Sequence, residues 1–292
     1  MNGKLPVTVL VATKNEEVNI RKCLEAVAPA TRVVVVDSNS SDRTAAIARE
    51  MQAEVIQFAY RGGYPKKRQW ALTTLGISTP WVLLLDADEV VPEALWVEIG
   101  FAVEDPQACS GYLVTKGFHF LGRRFRYGGF SHSAVLLFRT GSARFEHILD
   151  ESADAPDIEI HERLIVEGLI GRLRIPLIHE DLKGLEAYLD RHNSYSTWEA
   201  QVRSHYLASG TFGRDTIRPR LFGNSQERRR FLKTFVVGVP CEPLLWFLYH
   251  YVARLGFLEG RAGLIACRFR AQYIAQVRAK MYELSRRAAG PT

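Results

Sequence analysis

The sequence lacks the glycine-rich loops that bind dinucleotides and many nucleotides. Residues 13–17 read Thr-Lys-Asn-Glu-Glu, where a dinucleotide site would carry Gly-x-Gly-x-x-Gly. No Gly-Lys-Ser/Thr follows a predicted strand, which excludes a Walker-type loop. The four cysteines, Cys23, Cys109, Cys241 and Cys267, lie far apart and lack paired metal-ligand spacing. They indicate reduced thiols of a cytoplasmic protein, and they exclude a disulfide framework and a zinc finger.

Long apolar runs are also missing. Residues 231–253 are the most hydrophobic stretch, but Lys233, Pro240, Glu242 and Pro243 interrupt it. A membrane-spanning helix needs about 20 mostly apolar residues, and the two prolines break a single helix. The pattern favours a broken helical pair lying in a membrane interface. Residues 1–6 are too short and polar for a secretory signal, in keeping with a cytoplasmic location.

The composition is that of a globular protein, and its charged residues are unevenly distributed along the chain. The 292 residues are 47% apolar and 11% aromatic, enough for one large α/β domain or a domain with an appendage. Residues 210–292 contain 15 Lys+Arg against 5 Asp+Glu, whereas the net charge of the whole chain is only +6. A basic appendage on a slightly acidic body indicates a polyanionic partner, either a nucleic acid or a membrane surface.

The C-terminal region also has the pattern of a basic amphipathic helix. Apolar side chains recur every four residues, with basic residues mostly on the other faces; the apolar positions are Ile265, Phe269, Tyr273, Val277 and Met281. This pattern favours a helix lying on an anionic membrane, and not a nucleic-acid-binding element. A helical hairpin packed on the body, or a dimer interface, is the alternative. We therefore expect a catalytic domain over residues 1–208 and a basic helical extension over residues 209–292.

The first hundred residues alternate between strand and helix patterns. Buried strands are predicted at residues 7–12, 33–36, 54–58 and 82–85, and helices at residues 15–27, 43–51 and 66–75. Such alternation predicts an α/β fold with a mostly parallel, Rossmann-like sheet flanked by helices. Further along, residues 118–127 are typical of a hairpin, residues 174–178 of a strand and residues 182–202 of a helix.

The fourth predicted strand ends in two carboxylates, Asp86 and Asp88. Ligands of such sheets bind at the carboxyl ends of the strands. Adjacent carboxylates repel each other, and a hard divalent cation relieves that repulsion. The pattern therefore predicts a metal site that holds a phosphate. An Asp-rich turn that caps the next helix is the alternative.

Six motifs in order resemble family 2 glycosyltransferases of the GT-A fold, and specifically the lipopolysaccharide-core β-1,4-glucosyltransferase group. They lie at residues 11–17, 36–44, 63–71, 85–89, 161–168 and 177–179. The resemblance implies that a nucleotide-sugar, a Mg²⁺ or Mn²⁺ ion and a glycan acceptor meet at one site. The nucleotide-sugar contacts it implies are Thr13, Asn15, Glu16, Asp37, Ser38, Lys67, Arg68, Asp86 and Ala87, and the metal ligands are Asp88, Asp86 and His179.

Several of these residues have a simpler structural explanation. Glu16 and Asp42 are also typical helix caps, and residues 66–68 are also typical of a solvated charge run. A single histidine at a strand end, such as His179, is more often structural than a metal ligand.

The resemblance also implies that Glu162 is the catalytic base of an inverting transfer. Such a transfer needs a carboxylate that removes the proton of the acceptor hydroxyl. Glu159, Asp150 and Glu151 are nearby acids that are alternatives to it. The neighbouring Arg163 is expected to lower the pKa of Glu162 unless its side chain points elsewhere.

The function that the resemblance implies is a metal-dependent, inverting transfer of a hexose, with glucose as first choice, from a UDP-sugar. The acceptor would be a lipopolysaccharide-core heptose or a lipid-linked saccharide, reached from the inner face of the cell membrane. Residues 86–90 also match the nucleophile loop of haloacid-dehalogenase-like phosphatases, although that loop follows a first strand. A nucleotidyltransferase and a non-catalytic membrane adaptor are further alternatives.

Overall fold

We describe the protein from a computed structural model. The structure describes residues 3–148, 157, 159–160, 162–213, 216–217, 219–223, 227–228, 231, 234, 239 and 241–288.

Ten of the strands form one sheet, with a central order β3-β2-β1-β4-β8-β6-β12-β5. Strands β7 and β11 pair with β6, and β9 and β10 form a separate two-stranded sheet. The strands are β1 (Leu5–Thr13), β2 (Ala30–Asp37), β3 (Glu54–Gln57), β4 (Trp81–Asp86), β5 (Glu89–Val90), β6 (Gly111–Phe120), β7 (Arg123–Arg124), β8 (His132–Arg139), β9 (Ala143–Phe145), β10 (Leu164–Val166), β11 (Ile170–Arg172) and β12 (Leu177–His179).

The α-helices whose bounds the structure describes accompany these strands. They are α1 (Ile20–Glu25), α2 (Thr44–Glu50), α3 (Lys67–Thr74), α4 (Glu93–Glu104), α5 (Gly184–Ser209), α6 (Glu242–Leu248) and α7 (Gly260–Ala288). A π-helical turn at Tyr249–Ala253 and a 3₁₀ turn at Gly256–Glu259 connect α6 to α7.

The parallel half of the sheet confirms the predicted α/β alternation. Strands β3, β2, β1 and β4 are parallel, and apolar side chains such as Val9, Val35 and Leu83 are fully buried in them. Helix α1 is shorter than the predicted helix over residues 15–27. The backbone N–H of Glu16 donates to Thr44 Oγ1 (2.7 Å), and Asn15 has a positive φ of 54°, so this loop is held outside the helix.

The sheet as a whole is mixed, which corrects the expectation of a mostly parallel one. Strand β8 is antiparallel to both β4 and β6. Strands β6 and β7 form the hairpin predicted at residues 118–127, with Leu121 and Gly122 at its turn. The described chain between β6 and β8 holds this hairpin and no crossover helix, and a short connection joins antiparallel neighbours.

The C-terminal helix α7 packs against the body of the protein. Tyr273, Ile274 and Val277 are buried in a cluster that includes Ala200 of α5. Phe269 packs beside Phe120 of the β6–β7 hairpin. The apolar stripe that was predicted to lie on a membrane therefore faces α5 and the hairpin, as in the alternative of a helix packed on the body.

Buried charges also join the C-terminal helices to α5. Arg203 Nη1 donates to both carboxylate oxygens of Glu242 (2.9 Å each), and Arg203 Nε donates to Glu199 Oε1 (2.9 Å). Tyr273 Oη donates to Glu199 Oε2 (2.6 Å). Among the described residues, no helix has the length and apolarity needed to cross a membrane. A domain boundary near residue 208 stays a prediction.

Candidate active site

The polar residues at the ends of β1, β2 and β4 lie next to one another. Thr13 is paired in register with Asp37, and Ala12 with Asp86. A cleft of about 1580 Å³ opens at this edge of the sheet. The predicted site residues that line it are Thr13, Glu16, Lys67, Arg68, Asp86, Ala87, Asp88, Glu162 and His179.

The three remaining predicted residues, Asn15, Asp37 and Ser38, do not line the cleft. Asp37 is fully buried and accepts hydrogen bonds from Thr13 Oγ1 (2.9 Å) and from the backbone N–H of Ser40 (3.0 Å). Asn15 Oδ1 accepts the backbone N–H of Ser41 (2.9 Å). The N–H of Ser38 donates to the carbonyl of Thr13 (3.1 Å). These contacts join the loop that follows β1 to the loop that follows β2.

Asp42 and Glu16 differ in the role that their contacts support. Asp42 directly precedes the N-cap of α2, Arg43, and its Oδ1 accepts the backbone N–H of Thr44 (2.9 Å), so it supports the start of that helix without being its N-cap. Glu16 lines the cleft and is paired with Lys183 Nζ (2.6 Å) at the start of α5. Burial raises the pKa of Glu16, although Lys183 acts in the opposite direction.

Asp86 lies between two basic side chains. Arg68 pairs with Oδ1 of Asp86, and Lys116 Nζ lies 2.9 Å from Oδ2. Burial alone would raise the pKa of Asp86, but the charges of Arg68 and Lys116 hold that pKa far below its ordinary value. Lys116 also pairs with the buried Glu89 (2.6 Å). Because both oxygens of Asp86 are engaged, Asp86 is not arranged as a free metal ligand.

Lys116 is a site residue that the sequence reasoning missed. It is the only charged residue in the ten-residue strand β6, whose other residues are mostly apolar. A lone lysine within an apolar strand would have been the signal.

Asp88 and His179 are brought together from distant parts of the chain. Asp88 Oδ2 lies 3.3 Å from His179 Nε2, because β12 pairs with β5 and aligns His179 with Glu89. Burial alone would lower the pKa of His179, but the hydrogen bond with Asp88 and the charges of Asp88 and Glu89 raise it. Within the described residues, no three His, Cys, Asp or Glu side chains are grouped so as to hold a metal ion. The protein therefore offers a two-ligand pair, Asp88 and His179.

Lys67 and Arg68 begin α3 and are not a solvated charge run. Lys67 is buried, and its Nζ donates to the carbonyl of Thr13 (2.7 Å) and lies 3.4 Å from Asp157 Oδ2. Burial lowers the pKa of Lys67, although Asp157 acts to raise it. The contact with Thr13 fastens α3 to the end of β1, and both Lys67 and Arg68 line the cleft.

Glu162 is buried beside Lys66, the residue that precedes Lys67 in the chain. Its Oε1 accepts from Lys66 Nζ, and its Oε2 accepts the backbone N–H of Ile160 (3.0 Å). Lys66 also lies 4.3 Å from the centre of the Trp198 ring. The basic partner that the structure gives for Glu162 is Lys66. The backbone N–H of Arg163 donates to Glu146 Oε2 (2.9 Å).

The alternative bases differ in what the structure says of them. Glu159 accepts the backbone N–H groups of Arg68 (3.2 Å) and Gln69 (3.0 Å), and so caps the start of α3. Burial raises the pKa of Glu159. Asp150 and Glu151 lie outside the described residues, as does His161 of the fifth motif.

The opposite wall of the cleft comes from α5, α6 and α7, which the site prediction did not include. Tyr188, Arg191 and Tyr195 of α5 line it, together with Arg270 and Tyr273 of α7. Burial raises the pKa of Tyr195 to about 12, although the nearby Arg191 acts in the opposite direction. One cleft thus runs from the acids at the sheet edge to the C-terminal helices.

Residues 8–150 match the family model of glycosyl transferase family 2. This region, just under half of the chain, is a glycosyl transferase family 2 domain. Over 97% of its length, this family 2 glycosyltransferase is 26% identical to the lipopolysaccharide core biosynthesis glycosyltransferase LpsC of Rhizobium meliloti (strain 1021), covering 94% of that protein. It is also 26% identical to an uncharacterized glycosyltransferase of Rickettsia typhi, over 67% of each chain.

A comparison with solved structures finds glucosyl-3-phosphoglycerate synthase from Mycobacterium tuberculosis. The TM-score is 0.31 and the sequence identity 24%, over 40% of this glycosyltransferase. The alignment spans less than half of the synthase, 45% of its chain.

Proposed function

We propose that this glycosyltransferase moves a hexose from a UDP-sugar to a cell-envelope glycan, with inversion at the anomeric carbon and with a divalent metal ion. The observation that carries the proposal is the convergence of the Asp88–His179 pair and Glu162 on one cleft. A transferase needs a group that stabilises the leaving diphosphate and a separate base for the acceptor. The two sets of residues fit that division.

The donor diphosphate would lie against the metal pair and the basic groups of the cleft floor. Asp88 and His179 supply one carboxylate oxygen and one imidazole nitrogen, a donor set that suits Mn²⁺. Sites that hold such ions often use one or two protein ligands and take the others from substrate phosphates. A bound ion supplies Lewis-acid stabilisation of the negative charge on the leaving diphosphate. Asp86 would act by holding Arg68 and Lys116 in place.

Glu162 would take the proton from the acceptor hydroxyl. Both of its oxygens have partners, Lys66 and the N–H of Ile160, which fix the direction of the carboxylate. A base must have an oxygen within hydrogen-bond reach of the hydroxyl. Glu162 would therefore release or share one of these contacts when the acceptor binds.

The donor sugar and the acceptor are assigned by similarity. The name of the Rhizobium relative, which aligns with almost the whole chain, supports a lipopolysaccharide-core acceptor. A heptose of that core and a glucosyl donor are our first choices, and a lipid-linked saccharide is the alternative. The phosphatase alternative has no support, because its nucleophile would be Asp86, which is held by Arg68 and Lys116.

Such an acceptor requires contact with the inner face of the cell membrane, and the surface around α6 suits it. We call this surface the apolar apron; its exposed members are Leu244, Leu245, Leu248, Tyr249, Val252, Leu255, Phe257 and Leu258. The exposed Arg261 lies next to this segment. Apolar groups with a flanking arginine are the composition of a surface that binds anionic lipid. The apron, and not the buried stripe of α7, would then be the membrane-facing part.

A thermal-shift screen of UDP, GDP and ADP sugars with and without Mn²⁺ tests the donor side of the proposal. A ligand that binds only the folded protein raises its stability in proportion to the logarithm of ligand concentration. We expect stabilisation by UDP-sugars that depends on Mn²⁺. Equal shifts with and without the metal would contradict metal dependence, and no shift with any nucleotide sugar would contradict the transferase assignment.

A further inference from the structure

The wall of the cleft formed by the C-terminal helices carries two arginines that have no carboxylate partner among the described residues. They are Arg254, after the π-helical turn, and Arg270 of α7, and both line the cleft. The guanidinium carbon of Arg270 lies 5.3 Å from the centre of the Trp246 ring and 5.4 Å from that of Tyr273. Stacking on aromatic rings holds a guanidinium in place and leaves its N–H groups available to an anion.

The acids of the same wall are already neutralised by other residues. Arg203 pairs with both Glu199 (2.8 Å) and Glu242 (2.9 Å), and Arg278 lies 3.5 Å from Glu242, so two arginines face these two carboxylates. Glu242 also accepts from Trp246 Nε1 (3.1 Å). Arg254 and Arg270 are therefore not needed to balance these carboxylates. They give this end of the cleft a local positive charge.

A buried histidine of the same wall, His250, has one ring nitrogen without a partner among the described residues. His250 is only 6% exposed, and its Nδ1 contacts the carbonyl oxygen of Gly128 at 2.5 Å. A carbonyl only accepts, so Nδ1 carries the proton and Nε2 of the neutral ring is an acceptor. Within the described residues, Nε2 is buried and has no hydrogen-bond partner. Burial lowers the pKa of His250, and the charges of Arg270 and Arg254 act in the same direction, although the hydrogen bond with Gly128 acts to raise it.

Aromatic rings complete this part of the cleft. Trp246 stacks on His250 with ring centres 5.3 Å apart, and Tyr188 stacks on His192 at 3.9 Å. All four line the cleft. Flat rings with polar edges suit a ligand that has both apolar faces and hydroxyl groups, as a sugar ring does.

We propose that this wall is an acceptor subsite for a saccharide that carries a phosphate or carboxylate group. Arg270 and Arg254 bind the anionic group, and His250 Nε2 accepts a hydrogen bond from a sugar hydroxyl. This inference rests on the proposed function, because it assigns the acceptor side of the same cleft. It adds that the acceptor is anionic and that the C-terminal helices recognise it.

The test compares the binding of mannose 6-phosphate, mannose and inorganic phosphate to the full chain by calorimetry. Charge-assisted hydrogen bonds of arginine are roughly twice as strong as neutral ones, so we expect mannose 6-phosphate to bind about tenfold tighter than mannose. Arg270→Gln and Arg254→Gln should each reduce that preference. Arg268→Gln is the matched control, because Arg268 is on α7 but is exposed and outside the cleft.

Three results would overturn the inference. They are equal binding of the two sugars, an equal effect of Arg268→Gln, and inorganic phosphate binding as tightly as mannose 6-phosphate. Stabilisation by UDP and Mn²⁺ is measured on the same samples. If mannose 6-phosphate is preferred but UDP gives no stabilisation, the donor assignment fails and the subsite stands. If UDP stabilises the protein and the sugar preference is absent, the subsite fails alone.

Discussion

Lys66 and Glu162 form an ion pair in which the two side chains are only 6% and 4% exposed. The residues are 96 positions apart in the chain, and α3 supplies one of them through its N-cap. Breaking a buried pair by removing one partner leaves an uncompensated charge, which typically costs about 3–5 kcal/mol. A variant of Glu162 therefore tests catalysis and stability at once, and the two effects must be separated.

The first prediction separates them with a double variant. Glu162→Gln should lower transfer by about 10²–10⁴-fold or more, since general-base catalysis contributes about that much. It should also destabilise the fold, because Lys66 loses its carboxylate. Lys66→Met with Glu162→Gln should regain part of the stability, measured by urea unfolding, and should stay inactive while it binds UDP-sugar. Near-normal turnover in either variant would exclude Glu162 as the base.

The second prediction concerns Lys116, which pairs with both Asp86 and Glu89. Lys116→Met removes one positive charge from a buried group of two carboxylates and one arginine. We expect a loss of about 3–5 kcal/mol in the free energy of unfolding and a weaker UDP-sugar complex. Lys4→Met, at an exposed position before β1, is the control. A stability loss of less than about 1 kcal/mol for Lys116→Met would show that the pair contributes no more than a surface salt bridge.

The parallel half of the fold was predictable because its signals are local. Residues 82–85 are a continuous apolar run that ends in acids, and such a run in alternation with helices defines a buried parallel strand. The carboxyl ends of β1, β2 and β4 then have to meet, which is why Thr13 and Asp86 were assigned to one site.

The contacts made by chain segments distant in sequence were not predictable in the same way. Arg163 was the expected neighbour of Glu162, yet Lys66 occupies that position, since sequence adjacency says nothing about which face of a loop a side chain takes. The apolar stripe of α7 has the same spacing whether it faces lipid or protein. Only the packing against Ala200 and Phe120 decides between the two.

The third prediction concerns metal binding by Asp88 and His179. Asp88→Asn keeps the size of the side chain and removes the charge that a cation needs. A ligand at 100 times its Kd stabilises the folded protein by about 2.7 kcal/mol in total. Asp88→Asn should abolish the part of the UDP stabilisation that depends on Mn²⁺. His179→Gln should reduce that part as well. Asp105→Asn is the control, because Asp105 is exposed and does not line the cleft. This variant should keep the full Mn²⁺-dependent stabilisation by UDP.

The fourth prediction concerns the apolar apron. Leu248, Val252 and Phe257 are 44%, 54% and 45% exposed, so their replacement by serine should leave the fold largely intact. Each partly exposed apolar side chain that enters lipid contributes about 1 kcal/mol, and the triple serine variant should therefore bind vesicles with anionic lipid about a hundredfold more weakly. Sedimentation with vesicles of neutral and anionic composition measures this change.

The control for the apron carries the same kind of substitution elsewhere on the surface. Phe101 of α4 and Leu169 are even more exposed, at 69% and 78%, and do not belong to the apron. The Phe101→Ser, Leu169→Ser variant should bind vesicles as the unchanged protein does. If it loses as much binding as the apron variant, the interaction is a general effect of surface hydrophobicity. If only the apron variant loses binding, and salt weakens the remainder, apolar insertion and arginine attraction both act at the surface next to the acceptor wall.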